Sequence, residues 1–146
     1  MVVACQMQIV KLRARPVFRK HNVDRFWVKA TIALPDGFSP AGKLVTVNIG
    51  GAQAAFTLNA NGRRINGQGA CKLFFHKRTD TWTVHIRRRK GDWRTPWDAI
   101  GLTNTDIPKP GTPVTITVVV LVGDEGFAAD DVVTYRAKAG KYGIAR

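Results

Sequence analysis

Residues 114–122 constrain the fold of this chain more than any other segment. They read VTITVVVLV, so every position except Leu121 is β-branched and none is charged. Such a run favours a strand, because branching at Cβ suits a pleated, packed surface and restricts the side chain in a helix. The run is also too short to cross a bilayer as a helix. We expect one long strand, buried on at least one face, in a chain composed almost entirely of strands.

Two N-terminal segments alternate between apolar and polar residues, which is the period of a strand with one buried face. In residues 25–34 the apolar positions are Phe26, Val28, Ala30, Ile32 and Leu34. In residues 8–15 they are Val10, Leu12 and Ala14, and the opposite face carries Lys11, Arg13 and Arg15. We therefore expect a row of cations on the outer surface of the first long strand.

Turn residues separate the later strands. Gly50-Gly51 lies between two alternating runs and predicts a two-residue hairpin with positive φ at its centre. Residues 70–75 and 81–87 predict a second hairpin, with residues 63–69 as a polar connection before it. Residues 127–137 predict the final strand, and the basic tail at residues 138–146 is expected to fray.

One short helix is expected at residues 95–100. Thr95 suits the N-cap, Pro96 the first helical position, and Gly101 a C-terminal residue with positive φ. Pro108 and Pro110 should then break the chain before the long strand, because proline donates no backbone hydrogen bond.

These elements amount to about eight strands with turn signals between them and one late helix. The spacing predicts an all-β fold in a single domain, residues 1–146, arranged as an antiparallel β-sandwich of immunoglobulin-like general architecture. A closed barrel is the alternative.

The chain has 23 basic and 10 acidic residues, a formal net charge of +13, which attracts polyanions and does not bear on fold. The strongest candidate for a polyanion-binding site is the basic segment at residues 87–97, which mixes cations with two tryptophans. Arginine forks pair with phosphate, sulfate or carboxylate, and indoles stack on bases or sugars. The candidate contacts are Arg87, Arg88, Arg89, Lys90, Trp93 and Arg94, joined by Lys11, Arg13 and Arg15 if their strand lies in the same sheet. The alternative is an ordinary solvated surface, with Trp97 as the apolar anchor of the helix.

Catalytic and metal chemistry find little support. Ser39 is the only serine, and His21, His76 and His85 are scattered. A Cys71–His85 pair on neighbouring strands is the one candidate nucleophile and base, and Arg87 is expected to oppose protonation of that histidine. We predict no enzyme activity, no cofactor and no metal. The acidic residues at positions 124, 125, 130 and 131 lack the spacing of a calcium loop.

The N-terminal residues carry no apolar run of the secretory type. Val2-Val3-Ala4-Cys5 has the form of a lipobox, and we favour the start of a first strand there. Cys5 and Cys71 are expected as separate thiols, with a single bridge as the alternative.

Two stretches carry a family resemblance. Residues 34–51 read LPDGFSPAGKLVTVNIGG, and residues 135–146 read YRAKAGKYGIAR. Both resemble an uncharacterised β-sandwich module that recurs in large bacterial cell-surface or secreted proteins. The resemblance implies an exported structural or adhesive part with no catalytic residues to assign.

The favoured hypothesis is a non-catalytic structural or adhesive module at the bacterial surface, extracellular, that contacts an anionic polysaccharide or another polyanion. The alternative is a cytoplasmic, basic, nucleic-acid-binding protein. No transmembrane segment is predicted, and the sequence does not indicate an oligomeric state.

Overall fold

The structure, a computed structural model, describes residues 4–146. It is all-β with one short helix, and strands account for 62% of the chain. The strands are β1 (Ala4–Gln6), β2 (Gln8–Arg15), β3 (Asp24–Ile32), β4 (Leu44–Ile49), β5 (Ala52–Thr57), β6 (Arg63–Asn66), β7 (Gly69–His76), β8 (Thr81–Gly91), β9 (Ile107–Val122), β10 (Glu125–Lys138) and β11 (Tyr142–Ala145). Helix α1 (Arg94–Ala99) lies between β8 and β9. The lipobox-like residues 2 and 3 lie outside the described part, and so does the side chain of Cys5.

The strands form one sheet in the order β5-β4-β9-β10-β11-β2-β3-β8-β7-β6. Neighbours along this path run antiparallel, and β1 adds a short parallel pairing to β10. The sheet is not closed, because β5 and β6 are its two edges. The alternative of a closed barrel is therefore wrong.

Strand β9 is the long strand that residues 114–122 predict. Its side chains alternate, with Val114, Ile116, Val118, Val120 and Val122 buried. These residues join the inward faces of β3, β4 and β8 in a single hydrophobic core. The expected burial of one face is confirmed.

The β4–β5 hairpin also matches its prediction. Gly50 has φ 56° and Gly51 has φ 98°, and six residue pairs of β4 and β5 are in register on either side of them. Positive φ at both central residues is the geometry of a type I′ turn, whose twist matches that of the strands.

The N-terminus of helix α1 lies two residues earlier than the expected cap at Thr95. Trp93 occupies the N-cap without a side-chain hydrogen bond, so the prediction of Thr95 as the cap is wrong. Trp97 is fully buried and its Nε1 donates to the carbonyl oxygen of Ile49 at 2.9 Å. Burial of this indole against β4 positions the helix. Gly101 ends it with φ 108°, as predicted.

The C-terminal tail is ordered rather than frayed. Residues Tyr142–Ala145 form β11, which pairs with β10 and meets β2 at Ala145 opposite Ala14. Ala145 is fully buried. The prediction of a frayed tail is therefore wrong here, because β11 fills the gap between β10 and β2 and satisfies backbone groups of both.

Two further expectations need correction. Strand β9 begins at Ile107 and runs through Pro108 and Pro110. The two prolines are tolerated because β9 pairs with β4 only from Val118 onward. The proline-containing half of β9 therefore pairs with β10 on one side, and its other side needs no backbone donor.

The second correction concerns Val10, which is 54% exposed instead of facing the core. A register shift between Ile9 and Lys11 interrupts the alternation of β2 at this residue.

Candidate polyanion-binding surface

The register of five neighbouring strands aligns basic side chains into a row across the sheet. Lys11 on β2 lies opposite Lys29 on β3, which lies opposite His85 on β8. The row continues through Lys72 on β7 to Arg63 on edge strand β6. We call these five residues the basic row. Neighbouring strands lie about 4.8 Å apart, so the row is a closely spaced series of cationic or ionisable groups on the outer face.

A second row lies two residues further along each strand, on the same face. Arg13 is opposite Trp27, and Trp27 is opposite Arg87. The Trp27 ring is half-buried under two cations: Lys11 Nζ lies 4.8 Å and the Arg13 guanidinium 5.2 Å from its centroid. Its indole N–H donates to Nε2 of His85. The outward-facing Trp27 ring is thus largely covered by neighbouring side chains.

A groove of about 450 Å³ begins at this second row. The described lining of this groove contains six arginines and no acidic residue. We call the groove the arginine groove and define it by these arginines: Arg13, Arg15, Arg25, Arg87, Arg88 and Arg89. Arginine side chains from β2, β3 and β8 therefore line one concave surface. The Arg88 guanidinium lies against Trp93 and donates to the carbonyl oxygen of Arg89, and the remaining forks can bind planar oxyanions.

Small residues also line the groove. Gly69, Ala70 and Ala14 belong to its lining beside the arginines. A Cβ on Gly69 would overlap the carbonyl oxygen of Arg87, so β7 and β8 approach too closely there for any other residue. Short side chains on β7 thus lie beside long ones on β8, because Gly69 is opposite Arg88 and Ala70 is opposite Arg87.

Nearby carboxylates do not neutralise this surface. Within the described part of the chain, the single ion pair joins His21 Nδ1 to Asp92 Oδ2 at 4.0 Å, outside the groove. Asp24, the first residue of β3, is 1% exposed, and its carboxylate accepts hydrogen bonds from the backbone N–H groups of Val17 and Trp93.

Like charges opposite one another on adjacent strands, such as Lys11 and Lys29, are destabilising. An oxyanion ligand would relieve that repulsion.

The structure brings most of the candidate residues together. Lys11, Arg13 and Arg15 lie in the same sheet as Arg87, Arg88 and Arg89, with β3 between them, so the condition for one extended patch is met. Arg88 is partly buried, which lowers the pKa of its guanidinium, and it lies 5.6 Å from the Trp93 centroid.

Three candidates lie outside the groove. Trp93 is 9% exposed and packs against Phe26 and Trp97, with centroids 5.1 and 5.2 Å away. Arg94 Nη2 donates to the carbonyl oxygens of Val17, Phe18 and Lys20, at 3.0, 2.9 and 2.5 Å. Its guanidinium thus ties the loop after β2 to helix α1. Lys90 is exposed, with φ 62°, and is absent from the lining.

Four surface cations lie in the groove lining or the basic row but are not among the predicted contacts: Arg25, Lys29, Lys72 and Arg63. Each occupies an outward position on a strand, and Arg25 and Lys29 alternate with buried residues of β3. That alternation was the available signal for these two. Arg63 and Lys72 become relevant only through the pairing of β6 and β7, and β6 has no buried side chain to reveal it as a strand.

His85 and Cys71 do not form a catalytic pair. In the β7–β8 register Cys71 is opposite Ile86 and Lys72 is opposite His85, so the thiol faces the core and the imidazole faces outward. Burial raises the pKa of Cys71 to about 12. Burial, and then the charges of Arg87, Lys29 and Lys72, lower the pKa of His85 below its usual value. The expected opposition of Arg87 to protonation is confirmed.

Among residues 4–146, no cluster of three or more histidine, cysteine or acidic residues is arranged to hold a metal ion. Over the same range, no helix has the length and apolar character needed to cross a membrane. No protein-family model, curated protein or solved structure matches this chain.

Proposed function

We propose that this protein is a non-catalytic binding module that attaches to an anionic polysaccharide through the arginine groove and the adjacent basic row. The observation that carries the proposal is the convergence of six arginines on one groove whose described lining contains no carboxylate. Guanidinium forks bind sulfate and carboxylate groups through paired, charge-assisted hydrogen bonds. A polymer lying across the strands would meet a cation from nearly every strand it crosses.

A polysaccharide fits this surface better than a single-stranded nucleic acid. Sequence-tolerant binding of single strands relies on aromatic platforms on which bases stack. Trp27 is the indole in the groove lining, and Lys11 and Arg13 already lie against its ring. Trp93, the other candidate for stacking, is buried in the core. Charged groups therefore supply most of the accessible contacts.

We further infer that the two halves of the sheet face each other as a β-sandwich of immunoglobulin-like general arrangement. The single core shared by the inward faces of β3, β8, β4 and β9 supports this. Such a body would present the groove on a rigid outer face, as an adhesive element requires. The proposed bacterial cell-surface location derives from the resemblance of residues 34–51 and 135–146 to modules of exported proteins.

The proposal is tested by titrating fluorescently labelled heparin with the whole chain at 0.15 M salt and following anisotropy. The double variant Arg13→Gln/Arg87→Gln removes one groove arginine from each side of Trp27. Hydrogen bonds to charged groups contribute about 1.5–3 kcal/mol each, so losing one from each arginine should weaken binding about 100-fold or more.

A charge-matched control separates a site from general electrostatic attraction. Arg19→Gln/Arg78→Gln removes the same charge from two exposed positions outside the groove lining. We expect the control to weaken heparin binding by less than about threefold. Equal losses in the two double variants would disprove a defined groove. Tighter binding of polyuridylate than of heparin at the same salt concentration would favour the nucleic-acid alternative.

A further inference from the structure

A second concave site lies at the other end of strands β3, β7 and β8, away from the arginine groove. Three aromatic rings meet there: Phe38 after β3, Phe75 near the end of β7, and Trp82 near the start of β8. The Phe38 and Trp82 centroids are 5.6 Å apart with an edge-on angle of 83°. The Phe75 and Trp82 centroids are 5.3 Å apart and tilted by 50°. The rings therefore form angled walls rather than a parallel stack.

These rings belong to the core-facing side of the sheet but extend beyond the core. Phe75 and Trp82 are direct cross-strand partners, in line with the buried Ile32. Yet Phe75 is 42% exposed. Phe38 is held beside Trp82 by a tight turn, in which its N–H donates to the Pro35 carbonyl oxygen at 3.1 Å. The turn fixes one wall and leaves the mouth open.

The site is acidic, although the chain as a whole is basic. Its cavity measures about 210 Å³, and two carboxylates, Asp36 and Asp80, line it beside the aromatic rings. No lysine or arginine is among its described lining residues, although the chain has 23 of them. The nearest observed cation–ring contact is Lys43 Nζ, 5.8 Å from the Phe38 centroid and outside the lining. We call this site the aromatic pocket.

We propose that the aromatic pocket binds a quaternary ammonium group. Ring faces carry negative electrostatic potential, and a cation within about 6 Å of several centroids is attracted to all of them. A trimethylammonium head is too large and too weakly hydrated for a carboxylate alone, but it fills a cage of rings, and Asp36 and Asp80 complement its charge at the mouth. This inference is independent of polysaccharide binding, because the pocket shares no lining residue with the arginine groove.

The test compares choline with its neutral carbon isostere, 3,3-dimethyl-1-butanol, at constant ionic strength. Binding is followed by the Trp82 indole N–H resonance in ¹H–¹⁵N spectra of the whole chain. We expect saturable shifts with choline and binding of the alcohol at least about fivefold weaker, since the cation–ring attraction is lost. Equal affinity for the two compounds, or no saturation by choline, would overturn the proposal.

Two variants and a control locate the binding. Phe75→Leu keeps an apolar side chain without a π face, and Asp80→Asn removes charge from a residue at φ 54°, a conformation that asparagine tolerates. Each should weaken choline binding about three- to fivefold. Asp124→Asn, in the β9–β10 turn, should leave it unchanged. If Phe75→Leu and Asp80→Asn weakened choline binding no more than Asp124→Asn does, the proposal would also be overturned. Co-sedimentation with phosphatidylcholine vesicles that Phe75→Leu abolishes would identify a lipid headgroup as the source of the ammonium.

Discussion

Replacement of Asp24 by alanine should strongly destabilise the fold beside the arginine groove. Asp24 begins β3 and is 1% exposed. Its Oδ1 accepts the N–H of Val17 at 2.7 Å, and its Oδ2 accepts the N–H of Trp93 at 2.9 Å. One carboxylate thereby joins the loop after β2 to the start of helix α1, beside the arginines of β3 and β8.

The magnitude follows from those two contacts. Alanine leaves both buried N–H groups without their acceptor, at about 1–3 kcal/mol each, so the free energy of unfolding should fall by about 2–6 kcal/mol. Asparagine keeps one oxygen and turns an amide NH₂ toward the other donor, so Asp24→Asn should lose about 1–3 kcal/mol. Typical domains have only about 5–15 kcal/mol in total, so the alanine variant approaches the limit of folding.

The measurement is urea unfolding followed by tryptophan fluorescence and far-UV circular dichroism, with the slope checked for two-state behaviour. Asp92→Ala is the matched control, because that carboxylate is 45% exposed and its one partner, His21, is 4.0 Å away. It should change stability by less than about 0.5 kcal/mol. A similarly small change for Asp24→Ala would refute the assignment of Asp24 as the acceptor of two buried donors.

Three further predictions concern the interior and the basic row. The pKa of His85 is lowered in the folded state, so the stability present above pH 6.5 should be lost as the pH falls below that value. In urea unfolding between pH 7.5 and 5, the His85→Gln variant should lose less stability than the unmodified protein. An NMR titration midpoint of His85 at or above pH 6.5 would contradict this prediction. Because the pKa of Cys71 is raised to about 12, a Cys5→Ser variant should react with Ellman's reagent at pH 8 only after unfolding in urea, and rapid native reaction would show an accessible thiol. A Cβ on Gly91 would overlap the indole of Trp93, so Gly91→Ala should lower the free energy of unfolding by about 1–3 kcal/mol. Gly67→Ala, with open space around it, should be nearly neutral by the same measurement, and equal effects of the two would contradict the packing of Trp93 on Gly91.

Local sequence signals predicted the elements whose side chains alternate. β3, β9 and the β4–β5 hairpin follow directly from apolar periodicity and from Gly50-Gly51, since each signal lies within the element itself. β6 and β11 were missed because their short segments have little or no buried periodicity. Both are held by backbone pairing with strands distant in sequence, which no local pattern reveals.

Only part of the candidate site was predictable, because local patterns show which side chains face outward but not which distant segments pack together. Outward cations on residues 11–15 and 87–89 follow from alternation and from a run of arginines. The charged neighbours of Trp93 predict a surface contact. In the fold, helix α1 turns this indole inward against Phe26 and Trp97. Whether an indole at the end of a strand faces solvent depends on what packs over it, and that is a tertiary property.

The sequence by itself determined that this protein is built of strands and that one face of several strands is cationic, because both properties arise from side chains two residues apart. Only the tertiary structure decided that β2, β3, β8, β7 and β6 are neighbours. That order places Arg13 and Arg87 on either side of Trp27 and leaves the groove between them. Strand order depends on pairing between segments far apart in the chain, and its free energy comes from burying a shared core and satisfying backbone hydrogen bonds together.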